Sequence, residues 1–420
     1  MRIKTGSGTT IGLLTLCAIY SVSVVISLPG LAISPILGEL EHIFPDATQF
    51  QLQLLATISS LVVIPFILLS GRLSINRDRK TILIIGLGLF LLSSILYLQA
   101  DSIEALQWIS VLLGVGAGMI IPLSKGLIAI YFSGEQRQRQ LGISSGVTNT
   151  SLVLATIITG ELADIDWHWA FLVYMFSLVS LILVFVLRPN REPKLPAESI
   201  DRLKSETPTP LPHDSIKESS QSNGSMAQFK MPWALMWFYF TLCVMVLAIP
   251  IELSLFLEQL KIGTSADSGT LIAAFFLAIT IPGFTLSYFI KWWGKWINII
   301  STLMIVVGIG IFLLSHNLWA LAAGAVLSGF GYGIMQPMVY EKAVRGVSKH
   351  RATYSLSWVM TMNYLSIIFY PVALKWLDSI FSTQSVYVPF IFSFVISVVM
   401  LLLTMIRRHH SVLGTANGVQ

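Results

Sequence analysis

Apolar residues in this chain fall into twelve blocks separated by shorter polar segments. A block of roughly 20 residues, wound as an α-helix, crosses the ~30 Å hydrocarbon layer of a membrane. The runs are continuous and lack two-residue alternation, which predicts helices and not the strands of a membrane barrel. The predicted spans are 11–33, 50–70, 81–99, 106–132, 141–163, 169–187, 233–257, 269–290, 296–315, 318–340, 352–374 and 386–406.

One long polar segment interrupts this pattern between the sixth and seventh spans. Residues 188–231 are rich in Pro, Ser, Lys and Glu and contain little that could be buried. Such a composition predicts a flexible linker. The chain is therefore expected to consist of a bundle over 1–187, the linker 188–231, a second bundle over 232–406 and a tail over 407–420.

Composition supports a membrane protein. The 420 residues are 55% hydrophobic and 11% charged, whereas about 25% of the residues in an ordinary soluble chain are charged. So few charges cannot cover a water-exposed surface. The lipid bilayer is thus the first expected partner.

Basic residues concentrate in alternate loops, which predicts an orientation. Lys and Arg cluster near both termini, in the linker and in every second loop, and Lys261 and Lys375 alone fall near the opposite face. The positive-inside rule then places both termini and the linker in the cytoplasm. We expect a multi-pass protein of a bacterial inner membrane. Its net charge of +5 follows from this topology and from contact with anionic lipid, so no nucleic-acid partner is expected.

The two halves share a glycine and proline pattern. Gly116 and Pro122 of the fourth span recur as Gly331 and Pro337 of the tenth, at an offset of 215 (331 − 116 and 337 − 122). Repeats that relate two halves are typical of secondary transporters, although purely structural helices could also share ancestry. The complete pattern comprises Gly114, Gly116, Gly118 and Pro122 against Gly329, Gly331, Gly333 and Pro337.

The loop between the second and third spans resembles the Gly-x-Leu-Ala-Asp-Arg-x-Gly-Arg-Lys motif of the major facilitator superfamily. Gly71, Leu73, Arg79 and Lys80 match this motif, whereas Ile75 stands where the family has an acidic residue. The resemblance implies an all-α integral membrane fold with twelve transmembrane helices in two pseudosymmetric six-helix bundles. It also implies a gating role for Gly71, Arg79 and Lys80.

Two further segments are similar to the drug:proton antiporter branch of that family. Trp167, Trp169 and Phe171 stand close to the pattern Trp-Arg-Trp-x-x-Phe that enters the sixth span of these antiporters, and Gly142 and Gly146 are retained from a glycine-rich motif of the fifth span. This resemblance implies proton-coupled efflux.

Three charged residues lie within predicted spans: Lys125, Glu252 and Glu341. A charge near the bilayer centre costs on the order of 3 kcal/mol on the lenient insertion scale, so such residues are functional candidates. Lys125 could instead extend toward the membrane surface, and Glu252 could be interfacial. Glu252 is expected to exchange the coupling proton. The predicted substrate or proton pathway comprises Lys125, Glu252, Asn149, Gln336, Tyr340 and Asn363.

The internal repeat suggests a gate between the halves. The offset of 215 carries Lys125 onto Tyr340, the residue before Glu341. We therefore expect Lys125 and Glu341 to form a charged latch in one conformational state. Close approach and bending of the gating helices are assigned to Gly116, Gly118, Gly331 and Gly333, since glycine lets helices pack closely.

No enzyme motif is present. The chain lacks HExxH, CxxC, Walker and GxSxG patterns, so neither an enzymatic activity nor a cofactor nor a metal is expected. The sequence predicts a monomeric secondary active transporter that moves a small amphipathic molecule by alternating access, with proton-coupled efflux as the first hypothesis. Proton-coupled uptake of a nutrient or organic anion, with Lys125 as carboxylate partner, is the alternative. A non-transporting membrane sensor is a third.

Overall fold

The computed structural model describes residues 2–4, 10–29, 40, 43–45, 49–163, 165–185, 231–263, 265–381 and 385–406. Ten stretches of these residues are long and apolar enough to cross a membrane, and the stretch Asp267–Leu314 contains two helices. With the shorter apolar helix Leu13–Val25, they form the twelve helical segments that the hydropathy pattern predicts. The predicted linker 188–231 lies outside the described residues except for Met231, and the tail 407–420 lies wholly outside them.

The chain begins with a short antiparallel hairpin, in which β1 (Arg2–Lys4) pairs with β2 (Thr10–Gly12) and Ile3 lies opposite Ile11. The membrane segments are numbered α1 to α12. Their bounds are α1 Leu13–Val25, α2 Gln49–Asn76, α3 Arg79–Tyr97, α4 Ile103–Tyr131, α5 Gly134–Ala163, α6 Trp167–Phe185, α7 Trp233–Gln259, α8 Ser265–Trp293, α9 Ile297–Leu314, α10 Leu318–Val344, α11 Lys349–Phe381 and α12 Val388–Ile406.

Two of these segments are not single α-helices. The segment α6 begins as a 3₁₀ helix over Trp167–Met175 and continues as the α-helix Phe176–Phe185. The segment α7 consists of the helices Trp233–Val246 and Ala248–Gln259, and a 3₁₀ turn, Gly294–Trp296, joins α8 to α9. The helix α5 starts seven residues before its predicted span, because its polar first turns escape a hydropathy window.

Side-chain caps begin several helices. Asp78 accepts a hydrogen bond from the Lys80 amide at the start of α3, and Ser102 accepts one from the Ala105 amide at the start of α4. These caps satisfy amides that have no partner within their own helix. Asp166 caps α6, and hydrogen bonds from the backbone amide and then the ring of His168 lower the pKa of its carboxyl group. The aromatic residues that resemble the antiporter motif therefore start at a capped helix end.

Large apolar side chains cover the outside of the bundle. Leu314 is 87% exposed and Trp319 is 85% exposed. Apolar surface of this extent is not tolerated by a water-soluble monomer, but it suits contact with lipid tails.

The internal repeat extends from sequence to packing. A Cβ atom at Gly116 of α4 would lie 2.9 Å from the carbonyl oxygen of Gly86 in α3, and one at Gly331 of α10 would collide with the carbonyl oxygen of Ser301 in α9. The offset between Gly86 and Ser301 is again 215 (301 − 86). The same offset relates the next neighbours of the two glycines, Phe90 and Ile305.

A second pair of helices repeats in the same way. The Cβ position of Gly118 lies 2.8 Å from the Val63 carbonyl oxygen of α2, and that of Gly333 lies 2.6 Å from the Ile279 carbonyl oxygen of α8. The glycines thus pack α4 and α10 against helices of their own half. The nearest neighbours of Gly116, Gly118, Gly331 and Gly333 lie within their own halves, and the gating role expected of these glycines stays a prediction.

Other close contacts join the two halves. The Cβ position of Gly142 in α5 lies 2.5 Å from the Gly283 carbonyl oxygen in α8, and that of Gly71 in α2 overlaps Ser357 in α11. Both contacts lie on the side of the membrane where α2 ends at Asn76 and α3 begins at Arg79. We call this side the basic side. The two halves are therefore in contact on the basic side of the membrane.

Candidate functional site

A cavity of about 140 Å³ lies between the two halves. Five of the six residues of the predicted pathway line it: Lys125, Asn149, Gln336, Tyr340 and Asn363. The other lining residues are Ile26, Ile121, Ser145, Thr148, Met360 and Tyr364. We call this space the central cavity.

The repeat explains how these side chains come together. Lys125 of α4 and Tyr340 of α10 are separated by the offset of 215 (340 − 125), and Asn149 of α5 and Asn363 of α11 by 214 (363 − 149). All four line the central cavity. Equivalent positions of the two halves face each other across the cavity, as in transporters built from repeats.

Lys125 is buried, with 2% of its surface exposed. Its Nζ atom donates a hydrogen bond of 2.6 Å to Ser144 Oγ and a long one of 3.4 Å to Thr148 Oγ1, and it lies 5.9 Å from the centroid of the Tyr340 ring. All of these partners are uncharged. Among the described residues, no carboxylate lies within ion-pair distance of Lys125.

The hydroxyl groups around Lys125 form a connected set. Ser144 Oγ lies 2.7 Å from Ser23 Oγ of α1, which is 3.3 Å from Ser124 Oγ. Thr148 Oγ1 donates to the Ser23 carbonyl oxygen over 3.1 Å. We call Ser23, Ser124, Ser144 and Thr148 the hydroxyl cage. Ser144 and Thr148 accept from the ammonium group, and the set links α1, α4 and α5.

The opposite wall carries an aromatic network. The Tyr239 and Tyr340 hydroxyls are 2.7 Å apart, and Gln336 Nε2 donates to the Tyr332 hydroxyl over 3.0 Å. Asn363 Nδ2 lies 3.3 Å from Cys243 Sγ. We call this set, Tyr239, Cys243, Tyr332, Gln336, Tyr340 and Asn363, the tyrosine network. It ties α7, α10 and α11 together without any formal charge.

Glu252, the remaining residue of the predicted pathway, lies elsewhere. It lines a separate cavity of about 400 Å³ together with Gln259, Lys375 and Ser385. That cavity lies between α7, α11 and α12, on the side opposite to the basic side. The first helix of the broken span α7 carries Tyr239 of the tyrosine network, and its second helix carries Glu252. A single span therefore holds groups that do not share a site.

Glu341 does not contact Lys125 in this structure. Its carboxylate instead forms a two-fold hydrogen-bonded pair with Arg137 of α5, with both N–O distances at 2.8 Å. Glu341 thus has Arg137 as its partner in this structure, and the Lys125–Glu341 latch stays a prediction for another conformational state. By the offset of 215, Lys125 corresponds to Tyr340, the residue before Glu341. Lys125 lines the central cavity, whereas Glu341 points toward Arg137 near the start of α5.

The loop motif residues also bridge the halves. Arg79 donates hydrogen bonds of 3.0 Å to the carbonyl oxygens of Lys349 and His350 at the start of α11. Lys80 Nζ donates to the Phe185 carbonyl oxygen over 2.8 Å at the end of α6, within its own half. Ile75 offers no carboxylate here, so in this protein carbonyl oxygens accept the Arg79 guanidinium group.

Sequence reasoning missed the partners more than the central residues. In the sequence, Arg137 belongs to a basic segment that indicates only topology. Ser23, Ser144 and Tyr239 carry no charge that distinguishes them from other polar residues. The repeat could have found Tyr239, because an offset of 216 (239 − 23) relates it to Ser23. No group of three or more metal-ligating side chains occurs within the part of the chain that the structure describes.

Comparison with known sequences shows the family. The sequence profile of the Major Facilitator Superfamily matches residues 11–371 and 295–418. The described residues form twelve apolar helical segments in two related halves around the central cavity, which agrees with this match. The chain belongs to the Major Facilitator Superfamily.

Several bacterial proteins are similar over part of their length. The Mycobacterium tuberculosis protein "Uncharacterized MFS-type transporter EfpA" is 30% identical over 122 residues, which are 29% of this chain and 23% of that protein. "Multidrug resistance protein 3" of Bacillus subtilis is 30% identical over 29% of this chain and 24% of its own length. "Quinolone resistance protein NorA" of Staphylococcus aureus is 28% identical over 31% of this chain and 32% of its own. The chain thus matches less than a third of the length of each of these relatives.

Solved structures share the fold over nearly the whole chain. The human organic anion transporter MFSD10 superposes with a TM-score of 0.72 and 13% identity, covering 93% of this chain and 98% of that one. The proton:xylose symporter XylE superposes with a TM-score of 0.67 and 13% identity, covering 93% and 94%. At such identities the likeness concerns the fold alone.

Proposed function

We propose that this protein is a secondary active transporter that carries a small amphipathic organic anion through the central cavity by alternating access. The observation that supports this proposal is the charge of the cavity. Lys125 is its charged lining residue, and none of the described lining residues is acidic. A buried ammonium group favours a carboxylate or a similar anion and disfavours a cation.

The remaining lining residues fit the rest of such a molecule. Ile26, Ile121 and Met360 supply apolar surface, while Asn149 and Asn363 supply amide donors and acceptors. Sites for small molecules commonly combine an apolar wall with a few placed polar groups. The proposed solute has an anionic group near Lys125 and an apolar body.

Alternating access needs a contact that exists in one state only. We assign this role on the basic side to the Arg137–Glu341 pair, together with the Arg79 contacts to α11 and the close approach of Gly142 to Gly283. When these contacts break, the central cavity opens to the basic side. The positive-inside rule supports a cytoplasmic position for this side. Cysteines placed at Ser222 of the linker and at Ser265, where α8 begins, should then react with impermeant reagents from opposite sides of the membrane.

Efflux of drug-like compounds is the second candidate. The names of the bacterial relatives favour it, as do the aromatic residues at the start of α6. A lipophilic cation, however, would find no carboxylate among the described lining residues, and the protonated form of Lys125 would repel it.

Transport assays in proteoliposomes separate the candidates. Proteoliposomes that contain the purified protein are loaded with benzoate, hexanoate, succinate or tetraphenylphosphonium. Counterflow of the same labelled compound is then followed with and without a pH gradient. The proposal predicts counterflow of at least one carboxylate and none of tetraphenylphosphonium. Counterflow of the cation alone would replace the proposal with the efflux candidate.

A further inference from the structure

Lys125 presents an energetic problem that the proposed function leaves unsolved. The residue is 2% exposed, and the described partners of its ammonium group are hydroxyl groups and one aromatic ring. A buried charge without a counter-ion is strongly unfavourable. The empty cavity therefore holds a group that gains stability from either of two events: arrival of an anion or departure of a proton.

Among the described residues, no carboxylate, histidine or second lysine lines the central cavity beside Lys125. The hydroxyl cage on α1, α4 and α5 is neutral, and α10 and α11 present Tyr340, Tyr364, Gln336 and Asn363. The charged side chains of α2 and α3, namely Arg72, Arg79 and Lys80, lie at the basic ends of those helices, where Arg79 and Lys80 are bound to carbonyl oxygens. Glu341 is paired with Arg137.

The hydroxyl cage accommodates both forms of the amine. A hydroxyl group can donate or accept a hydrogen bond, so Ser144 can accept from an ammonium group or donate to a neutral amine by rotating its proton. Ser144 Oγ is 2.6 Å from Lys125 Nζ and 2.7 Å from Ser23 Oγ. A carboxylate at this place could only accept hydrogen bonds, so it could not donate one to the lone pair of the neutral amine. A cage of hydroxyls thus lets the side chain change its charge without leaving a buried polar atom unpaired.

We infer that Lys125 is the coupling residue of the transporter: it carries one proton together with the anion and releases both. This inference rests on the proposed function. In the loaded state the anion balances an ammonium group, and in the empty state the amine is neutral. The step is balanced, because the neutral amine takes one proton from water and the ammonium then binds one carboxylate by a charge-assisted hydrogen bond. In the reverse step the proton and the anion both leave Lys125, and both enter the solution on one side of the membrane.

A definite coupling follows from this arrangement. By linkage, a proton that strengthens anion binding is itself bound more tightly when the anion is present. The proton and a monovalent anion therefore cross together in a ratio of one to one, and no net charge moves. Glu252, which lies in the separate cavity, takes no part.

Calorimetry of the full-length protein tests this inference. Benzoate, hexanoate and succinate are titrated into purified protein at pH 6 to 9, each in two buffers of different ionisation enthalpy, to count the protons taken up with each anion. We expect uptake of up to one proton per monovalent anion in the wild type, rising with pH because the empty amine holds fewer protons as pH rises. Lys125→Arg, which stays charged at every pH used, should still bind the anion and take up no proton. Glu252→Gln serves as the matched control and should behave as the wild type does.

Two results would overturn the inference, and they differ from failure of the proposed function. Proton uptake by Lys125→Arg equal to that of the wild type would place the proton on another group, and loss of uptake in Glu252→Gln would place it there. If Lys125→Arg does not fold, the wild-type protein in proteoliposomes still decides. Anion entry that responds to an imposed membrane potential moves net charge, so no proton accompanies the anion, and this result would overturn the inference. Absence of both binding and counterflow for all three carboxylates would refute the proposed function itself.

Discussion

The two walls of the central cavity are built on the same scaffold but carry different chemistry. On the wall of the first half, the hydroxyl cage surrounds the charged Lys125. On the wall of the second half, the tyrosine network presents Tyr340 at the equivalent position, with the Tyr239 hydroxyl 2.7 Å away. The backbone contacts of Gly116 and Gly331 are meanwhile related by the same offset.

This difference separates what holds the fold from what gives it a function. Glycines that let α4 and α10 approach their neighbours are kept in both halves, because any side chain there meets a backbone carbonyl. The cavity positions are free of that constraint. One half therefore supplies charge, and the other supplies a neutral surface rich in hydrogen-bonding groups.

The largest expected effect comes from removing the charge. Lys125→Met keeps the volume and loses the ammonium group, so carboxylate counterflow should fall by about a hundredfold or more, as when one partner of a buried charge pair is truncated. Tyr340→Phe, at the equivalent position of the other wall, removes one neutral hydroxyl and should cost less than about tenfold. Counterflow in proteoliposomes with equal protein content gives both numbers. Equal losses in the two variants would mean that the walls do not differ in the way described.

A smaller effect is expected where the halves touch. Gly142→Ala places a methyl group 2.5 Å from the Gly283 carbonyl oxygen, and overpacking of this kind costs about 1–3 kcal/mol. The closed arrangement of the basic side should lose population by about tenfold or more. The alkylation rate of a cysteine at Thr353, in protein lacking Cys17 and Cys243, reports this opening.

Gly88→Ala provides the matched control for that variant. Gly88 lies within the helix α3, and nothing stands within 4 Å of its Cβ position. Its substitution should leave both transport and alkylation unchanged. Faster alkylation in Gly88→Ala as well would show that the assay reports general loosening of the bundle.

The ion pair at the basic side should have an effect no larger than that of the glycine contact. Glu341→Gln removes the charge from a pair whose side chains are only 17% and 10% exposed, and hydrogen bonds to charged groups contribute about 1.5–3 kcal/mol. Partial exposure places the expected shift toward the open state at about tenfold. Glu135→Gln breaks the exposed Lys291–Glu135 pair, with side chains 72% and 55% exposed, and should shift the same equilibrium by less than about threefold. Alkylation at Thr353 measures both, and a larger effect from Glu135 would contradict the assigned latch.

The smallest effect is expected from the other intramembrane carboxylate. Glu252 lines the separate cavity between α7, α11 and α12, so Glu252→Gln should change gradient-driven carboxylate uptake by less than about twofold, within the spread of surface substitutions. Uptake at several imposed pH gradients checks this. A loss of gradient-driven uptake with counterflow intact would restore Glu252 as the proton carrier.

The sequence predicted the twelve spans and five of the cavity residues for one physical reason. A bilayer demands long apolar helices, so polar side chains within them stand out, and the repeat places equivalent positions on facing helices. Lys125 and Asn149 were found in this way. Charge alone could not show which way Glu252 and Glu341 face, because the break in α7 and the one-residue step from Tyr340 to Glu341 change the direction of the side chain. Partners such as Ser144 lie outside the reach of a single-sequence argument, since serine is common in buried membrane helices.

The central claim, that the cavity binds an organic anion through Lys125, is tested most directly by protection of a cavity cysteine. A cysteine replaces Met360, which lines the cavity, in protein lacking Cys17 and Cys243, and its alkylation is followed with and without benzoate, hexanoate, succinate or tetraphenylphosphonium. We expect at least one carboxylate to slow the reaction in the presence of Lys125 and to have no effect in the Lys125→Met background, while tetraphenylphosphonium protects in neither. Equal protection by a carboxylate in both backgrounds, or protection by tetraphenylphosphonium alone, would contradict the claim.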